Sequence, residues 1–402
     1  MKNKVEPSRQ KSPCPYCGDA PVSHNLFYFV NLISMTLDSH MNKVTRHAPD
    51  FLKSFADWLM SGFFEIFLLF GFAKLSEDLS LAKTFRSRVV WEEAQRRGIP
   101  MDQIILFGRP IDHYRAKIGG QLKGKAIYFN SLPIPSHLLS MQKDWDDKFV
   151  LKKELSKKNI PIPNYVDFSS IFSGNFSKIF SKLQSPIIVK PRSGSRGRHT
   201  VTNIQSPEQL EAGIRVAGKL SPFLIAEEHL EGDVCRATFV SGKLMGFYRG
   251  SVPSVTGDGK KTLRELILQK DEKRPDRVEK VLVNKELEDF VLRSGFGLDD
   301  VLPEGLKLSL SHRTGRLFGG VTREMLDELH PSFLPVLTEA ARIVDIPVIG
   351  FDCIVPNPEQ NAGEQKWGII ECNTLPYIDL HYYALEGKPK NIAGAIWDMW
   401  AR

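Results

Sequence analysis

Ile349-Gly-Phe-Asp-Cys-Ile-Val355 and Trp367-Gly-Ile-Ile-Glu-Cys-Asn373 are the two stretches on which the fold turns. Both are rich in β-branched and aromatic residues and bounded by Pro, Gly and Asn, the composition of strands. The residues from Pro356 to Lys366 suit a hairpin loop between them. Side chains alternate along a strand, so Glu371 and Asn373 share a face. Asp352, on the neighbouring strand, can face them across the ladder. Two carboxylates and an amide carbonyl make a hard, oxygen-only set, which fits Mg²⁺ bridging substrate phosphates and not zinc. In isolation an Asp and a Glu near two strand ends are ordinarily solvated; the rest of the chain changes that reading.

Upstream, the apolar strand Pro186-Ile-Ile-Val-Lys190 leads into Pro191-Arg-Ser-Gly-Ser-Arg-Gly-Arg-His199. A lysine at a strand end beside a Gly/Ser-rich turn suits phosphate, because the ammonium meets the charge and glycines let backbone N–H groups approach oxygens. No Gly-Lys-Ser/Thr closes the turn, so it is not a Walker A loop. An ordinary glycine hairpin with a solvated lysine is the alternative. Phe223-Leu-Ile-Ala-Glu-Glu-His-Leu-Glu-Gly-Asp233 is an apolar strand running into acidic residues, whose backbone can pair with an adenine edge near Glu227 or Glu228. Arg236 and Arg249 flank a hairpin with Gly242 at its turn. Thr256-Gly-Asp-Gly-Lys-Lys-Thr-Leu-Arg-Glu-Leu266 reads as a tight loop capping a helix.

At 402 residues and 42% hydrophobic, the chain can bury one large core or two to three moderate ones. Its 54 Lys and Arg against 47 Asp and Glu give a formal charge of +7, a modest excess without runs of like charge. That is no nucleic-acid signature, and a polyanionic small molecule would be served as well. Cys353 and Cys372 fall in strands that read as buried, which favours a reduced, cytoplasmic protein over a disulfide framework. No signal peptide is evident. The apolar stretch from Trp58 to Leu75 is interrupted by Glu65 and Lys74 and is too short to span a bilayer. It reads as a buried helix, with an interfacial membrane contact as the alternative. Cys14-Pro-Tyr-Cys17 copies a redox dithiol motif but lacks the preceding strand that such chemistry needs. Zinc with His24 and His40 as further ligands matches no standard spacing, so zinc at Cys14 and Cys17 is disfavoured and the pair reads as incidental.

Residues 1–13 read as a disordered polar arm, and residues 14–85 as an aromatic, helical N-terminal region. Arg86 to Gly98 is an amphipathic helix stopped by Gly98-Ile-Pro100. Short strands at Gln103 to Phe107 and Lys125 to Phe129 complete a small α/β unit, 86–136, closed by the linker Ser131-Leu-Pro-Ile-Pro-Ser136. A helix from Asp146 to Lys158, ending in Asn-Ile-Pro-Ile-Pro163, opens the main α/β unit, 144–402. That unit divides at about 222 into two halves.

Taken in order, these pieces resemble the ATP-grasp fold. The likeness is strongest to the ATP-grasp module of cyanophycin synthetase and the ligase module of bifunctional glutathione synthetases. It is carried by Asp147-Lys148, by Ile-Val-Lys190-Pro with its glycine loop, and by Glu227-Glu-His-Leu-Glu-Gly-Asp233 with Arg236. The Thr-Gly-Asp-Gly loop, Gly319-Gly320, His330-Pro331, Gly350-Phe-Asp352, Ile370-Glu-Cys-Asn373 and Glu386-Gly-Lys-Pro-Lys-Asn391 continue it. The resemblance covers about Asp144 to Met399. The 86–136 unit would then stand as a pre-ATP-grasp domain, with no Mur-ligase-like domain in the 402 residues.

The resemblance implies an ADP-forming carboxylate–amine ligase acting on an amino acid or peptide-like substrate through an acyl phosphate. Lys148 and Lys190 would hold phosphate oxygens, with Gly194, Ser195 and Gly197 as the lid. Glu227, Glu228 and Leu230 would line the adenine pocket. Asp352, Glu371 and Asn373 would hold two Mg²⁺ ions, for which Mn²⁺ could substitute. Arg249 and Arg313 are the candidates for transition-state charge. Val234 stands where an acidic residue usually meets the ribose, so Asp233 is the substitute contact. Asp379 replaces a residue that is often Arg, and Tyr377 breaks the usual Pro-Gly. Arg86, Arg88, Arg96 or Arg97 would bind the substrate carboxylate, with Asp379 nearby. The competing reading is a regulatory or degenerate nucleotide-binding protein without turnover. The oligomeric state and the acid and amine are not legible.

Overall fold

The computed structural model describes residues 14–17, 22–33, 62–118, 126–135, 138, 143–171, 176–194, 197–275 and 278–400. The arm 1–13, the stretch 34–61 with His40, and Ser195 lie outside these residues.

Among the described residues the larger sheets are three, all antiparallel. The first orders strands β1 (Ala73–Ser76), β2 (Met101–Leu106), β3 (Arg109–Lys117) and β4 (Ala126–Asn130). The second orders β5 (Tyr165–Ser169), β8 (Phe223–Glu228), β6 (Ile187–Pro191) and β7 (Val201–Ile204). The third orders β13 (Thr322–Glu324), β10 (Lys243–Gly250), β9 (Asp233–Val240), β14 (Val348–Val355) and β15 (Gly368–Asn373). A small ribbon pairs β11 (Ser254–Thr256) with β12 (Lys307–Ser309). This mixed α/β arrangement is the ATP-grasp fold.

Local chemistry sets the element ends. Asp147 caps the helix Lys148–Ser156 by accepting the Phe149 N–H, and Thr262 with Glu265 closes a reciprocal capping box on Leu263–Glu272. Ser241 and Gly242 take left-handed φ of 48° and 74°, which turns β9 into β10 as a tight hairpin. The helices Lys148–Ser156 and Phe333–Val344 pack on the third sheet, whose buried face is built from Cys235, Ala237, Phe239, Ile349, Phe351 and Cys353.

The helical reading of residues 14–85 needs correction. Strand β1 lies inside the region read as helical, because its Ala73, Lys74, Leu75 and Ser76 pair with β2. Between the two expected short strands lies a further one, β3: Phe107 and Gly108 adopt φ of 49° and 77° and fold Arg109–Lys117 back on β2. The 86–136 unit shares its core with the C-terminal segment: Val89, Val90 and Trp91 pack with Val348, Ile392, Ile396 and Trp397. The Trp397 indole N–H donates to the Val90 carbonyl at 3.0 Å. Beyond the expected division at about 222, β8 pairs with β5 and β6, and the third sheet begins at Asp233.

Candidate functional site

The face of the third sheet opposite its core and the edge of the second sheet enclose a cavity of about 1020 Å³. Strand alternation supplies its floor. Asp352 on β14 lies directly opposite Glu371 on β15, and Gly350 opposite Asn373. Asn373 donates from Nδ2 to Asp352 Oδ2 at 3.3 Å. From β9, opposite Asp352, Arg236 donates from Nε and Nη2 to the two oxygens of Asp352 at 2.6 and 2.7 Å. This fork is the planar match between guanidinium and carboxylate. The remaining nitrogen of Arg236, Nη1, is buried without a hydrogen-bond partner among the described residues.

Two lysines come from the opposite side. Lys148 begins its helix, donates to the Gly194 carbonyl at 3.1 Å and sits 3.3 Å from Glu371 Oε2. Lys190 ends β6 and lies 3.1 Å from Glu227 Oε2 on β8. Both line the cavity, with Gly194 and Gly197 of the glycine loop. These glycines take φ of 137° and 61°, backbone a side chain would strain. Of the other lysines in reach of the helix, Lys143 pairs with Glu154, and Lys152 is fully buried behind the wall. Lys152 donates to the Ile370 carbonyl at 2.8 Å and lies 3.4 Å from Glu227 Oε1.

The charges are strongly coupled. Burial works to raise the Glu371 carboxyl, but Lys148 and Lys190 beside it bring it down to about 2. Burial and the neighbouring Glu371 charge push Asp352 above the ordinary range against the pull of Arg236. Burial pushes the Lys152 ammonium down to about 8, opposed by Glu227 and reinforced by Lys190. The donor set of Asp352, Glu371 and Asn373 is oxygen-only, which fits a hard divalent cation, and the lysines beside it fit phosphate oxygens.

The other expected residues divide between the cavity wall and pairings elsewhere. Glu227 lines the cavity, but its carboxylate is taken by Lys152 and Lys190. Glu228 accepts from Asn164 Nδ2 at 3.0 Å and the Gln184 N–H at 3.1 Å, while Leu230 lines the cavity. Asp233 and Arg249 do not line it: they pair with each other across the β9–β10 ladder, Arg249 Nε to Asp233 Oδ2 at 2.6 Å. Arg313 lines it and is buried against Glu286 Oε1 at 2.8 Å, and Asp379 lines it, 3.0 Å from Arg316. Arg88 lines it and lies 3.3 Å from Glu92. Arg86 is buried beside the rim, donating to the Leu375 carbonyl and to Ser131 Oγ. Arg96 and Arg97 are turned away: both clasp Glu93, and Arg97 reaches Asp398 at 2.6 Å. Arg316 was missed by the sequence reading, since it stands in no strand-end motif and is defined by Asp379, a partner far along the chain.

No protein-family model matches the chain. Cyanophycin synthetase of Trichormus variabilis is 26% identical over 337 residues, 81% of this chain and 36% of that protein. The bifunctional glutathione biosynthesis protein GshAB of Clostridium perfringens is 26% identical over 263 residues, 63% of this chain and 34% of that protein. The chain thus spans about a third of the length of these relatives. A crystal structure of a bifunctional glutathione synthetase from Pasteurella multocida superposes with a TM-score of 0.50 at 20% identity, over 78% of this chain and 43% of that one. The chain has the ATP-grasp fold, and in sequence it is similar to cyanophycin synthetase and to the bifunctional glutathione biosynthesis protein.

Proposed function

We propose that the chain is an ADP-forming ligase that joins a carboxylate to an amine, with an amino acid or peptide-like substrate. The observation that carries this reading is the convergence of Lys148, Lys190, Asp352, Glu371 and Asn373 on one cavity. Asp352, Glu371 and Asn373 would hold Mg²⁺, which when bound neutralises phosphate charge. Lys148 and Lys190 would bind and orient phosphate oxygens, and the glycine loop would cover them and exclude water from a reactive acyl phosphate. Arg88, with Arg86 at the rim, supports a carboxylate-binding role at the same cavity. A cytoplasmic setting belongs to the same proposal; no described helix is long and apolar enough to cross a membrane.

The test is ADP release from Mg²⁺-ATP against a panel of amino acids and short peptides, with Glu371→Gln as control. Turnover that needs both an acid and an amine supports a ligase. A nucleotide-binding protein without turnover is the second reading, favoured by Asp233 being held by Arg249 and leaving Val234 at the cavity wall. ATP binding without ADP release under every pairing would select it.

A further inference from the structure

Outside the cavity, Cys14, Cys17, His24 and His199 bring their ligand atoms within 4.8 Å of one another. The first two flank a single 3-10 turn, Pro15–Cys17, and His24 opens the helical residues 24–33. His199 arrives from the far end of the glycine loop. Cys14 Sγ lies 3.5 Å from His199 Nε2, Cys17 Sγ 3.6 Å from the same nitrogen, and Cys17 Sγ 3.2 Å from His24 Nε2. We propose that Cys14, Cys17, His24 and His199 form a tetrahedral zinc site that fastens the N-terminal segment to the flank of the glycine loop.

Three independent features carry this. The first is the ligand spacing. With Zn–S of about 2.3 Å and Zn–N of about 2.0–2.1 Å, a tetrahedron has sulfur-to-nitrogen edges of about 3.6 Å. These three distances lie within a few tenths of an ångström of that, and the remaining pairs, all within 4.8 Å, would draw in as an ion binds. The second is orientation. His199 is fully buried and its Nδ1 lies 2.6 Å from the Val216 carbonyl, so Nδ1 carries the proton and Nε2 presents its lone pair to both sulfurs. A backbone carbonyl holding the far nitrogen is how metal-ligating histidines are fixed. The third is backbone support: the His199 N–H donates to the Tyr16 carbonyl at 3.0 Å, and Arg313 Nη2 donates to the same oxygen at 3.0 Å. Tyr16 OH further donates to Asp289 at 2.5 Å.

Two thiolates with two imidazoles in this arrangement select Zn²⁺ over the hard cations that suit the cavity floor. Both thiol protons leave on binding, so the site fills less readily as pH falls. The proposal departs from the reading of Cys14 and Cys17 as an incidental pair, which rested on spacings to His24 and His40 that match no standard site; the histidine brought beside them with His24 is His199, which no spacing rule reaches. The inference is independent of the ligase reading, because its readout is metal content.

The test uses the full chain purified without a metal-affinity tag. Elemental analysis is expected to give about one zinc ion per chain. Cobalt(II) exchanged into the chelated protein should show visible bands of a tetrahedral ion with thiolate charge transfer. Cys14→Ser combined with Cys17→Ser should lose the metal, His40→Ala should keep it, and His199→Cys should keep it with stronger charge transfer from a third thiolate. That last variant tells loss of a ligand from loss of the fold. Metal-free protein with no cobalt bands would overturn the proposal and leave a packed thiol–imidazole cluster, as would a Cys14–Cys17 disulfide. Loss of metal in His40→Ala with retention in His199→Ala would overturn the ligand assignment.

Discussion

Glu371 stands where three charges meet: Lys148 at 3.3 Å, Asp352 across the ladder, and Lys190 close enough to act on its carboxyl. Held near 2, it is an anion at any working pH, so its substitution removes a charge and not merely a proton site. Glu371→Gln is expected to lower ADP release by about 10²-fold or more with little change of fold. Turnover within a few-fold of the parent would remove Glu371 from the centre. Lys152 gives a different signature. Its folded value of about 8 lies below the ordinary lysine range, so between the two the unfolded chain binds more protons and stability rises with pH. Denaturant unfolding of the parent and Lys152→Met from pH 7 to 10 should show the parent gaining on the variant as pH rises; parallel curves would refute this. Alternation along β14 and β15 made Asp352, Glu371 and Asn373 legible from sequence. The lysine–glutamate set behind them was not, because Lys152 and Glu227 meet only through the packing of a helix across two sheets.

The helix Phe85–Arg96 shows how one element divides its arginines. Arg88 faces the cavity, while Arg96 and Arg97 clasp the buried Glu93, which also accepts from Asn391 Nδ2 at 3.0 Å. Burial works to raise the Glu93 carboxyl, but these donors bring it down to about 2. The stabilisation is therefore complete above the ordinary glutamate range and fades as pH falls toward about 2. Glu93→Gln should cost about 2 kcal/mol near neutral pH, measured by denaturant unfolding, with the difference shrinking in acid and ATP affinity unchanged. An equal loss at pH 7 and at pH 3 would argue against the ion pair as its source. Arg88→Met, by contrast, should raise the KM of the acid substrate about tenfold and spare ATP affinity; a weakened ATP affinity would count against its assignment. Periodicity identified this helix but could not separate its faces, since the partner helix Ile392–Asp398 lies some 300 residues away. Strand β3 was illegible for a local reason: Arg109-Pro-Ile-Asp-His-Tyr-Arg-Ala-Lys117 carries Pro110 and many polar residues, and only its paired neighbours β2 and β4 make it a strand.

Across the whole molecule, the first sheet and the helix beside it are closed by residues from the far end of the described chain. Trp397 is buried, meets Phe129 edge-on at 6.0 Å between ring centres, and bonds the Val90 carbonyl. Trp397→Ala removes a large core side chain and its indole donor, so it should cost about 3–5 kcal/mol. The denaturation midpoint reports it, and a shift under 1 kcal/mol would show that the two regions are not one cooperative unit. The α/β class was readable because turn residues and strand composition are local; the shared core was not, because nothing near Val89 signals Trp397. This shared core also constrains biosynthesis. While the ribosome has yet to deliver residues 392–398, the apolar side of the Phe85–Arg96 helix has no cover. The nascent protein therefore carries an open, sticky seam through most of its translation, and chaperone demand should be greatest just before that seam closes.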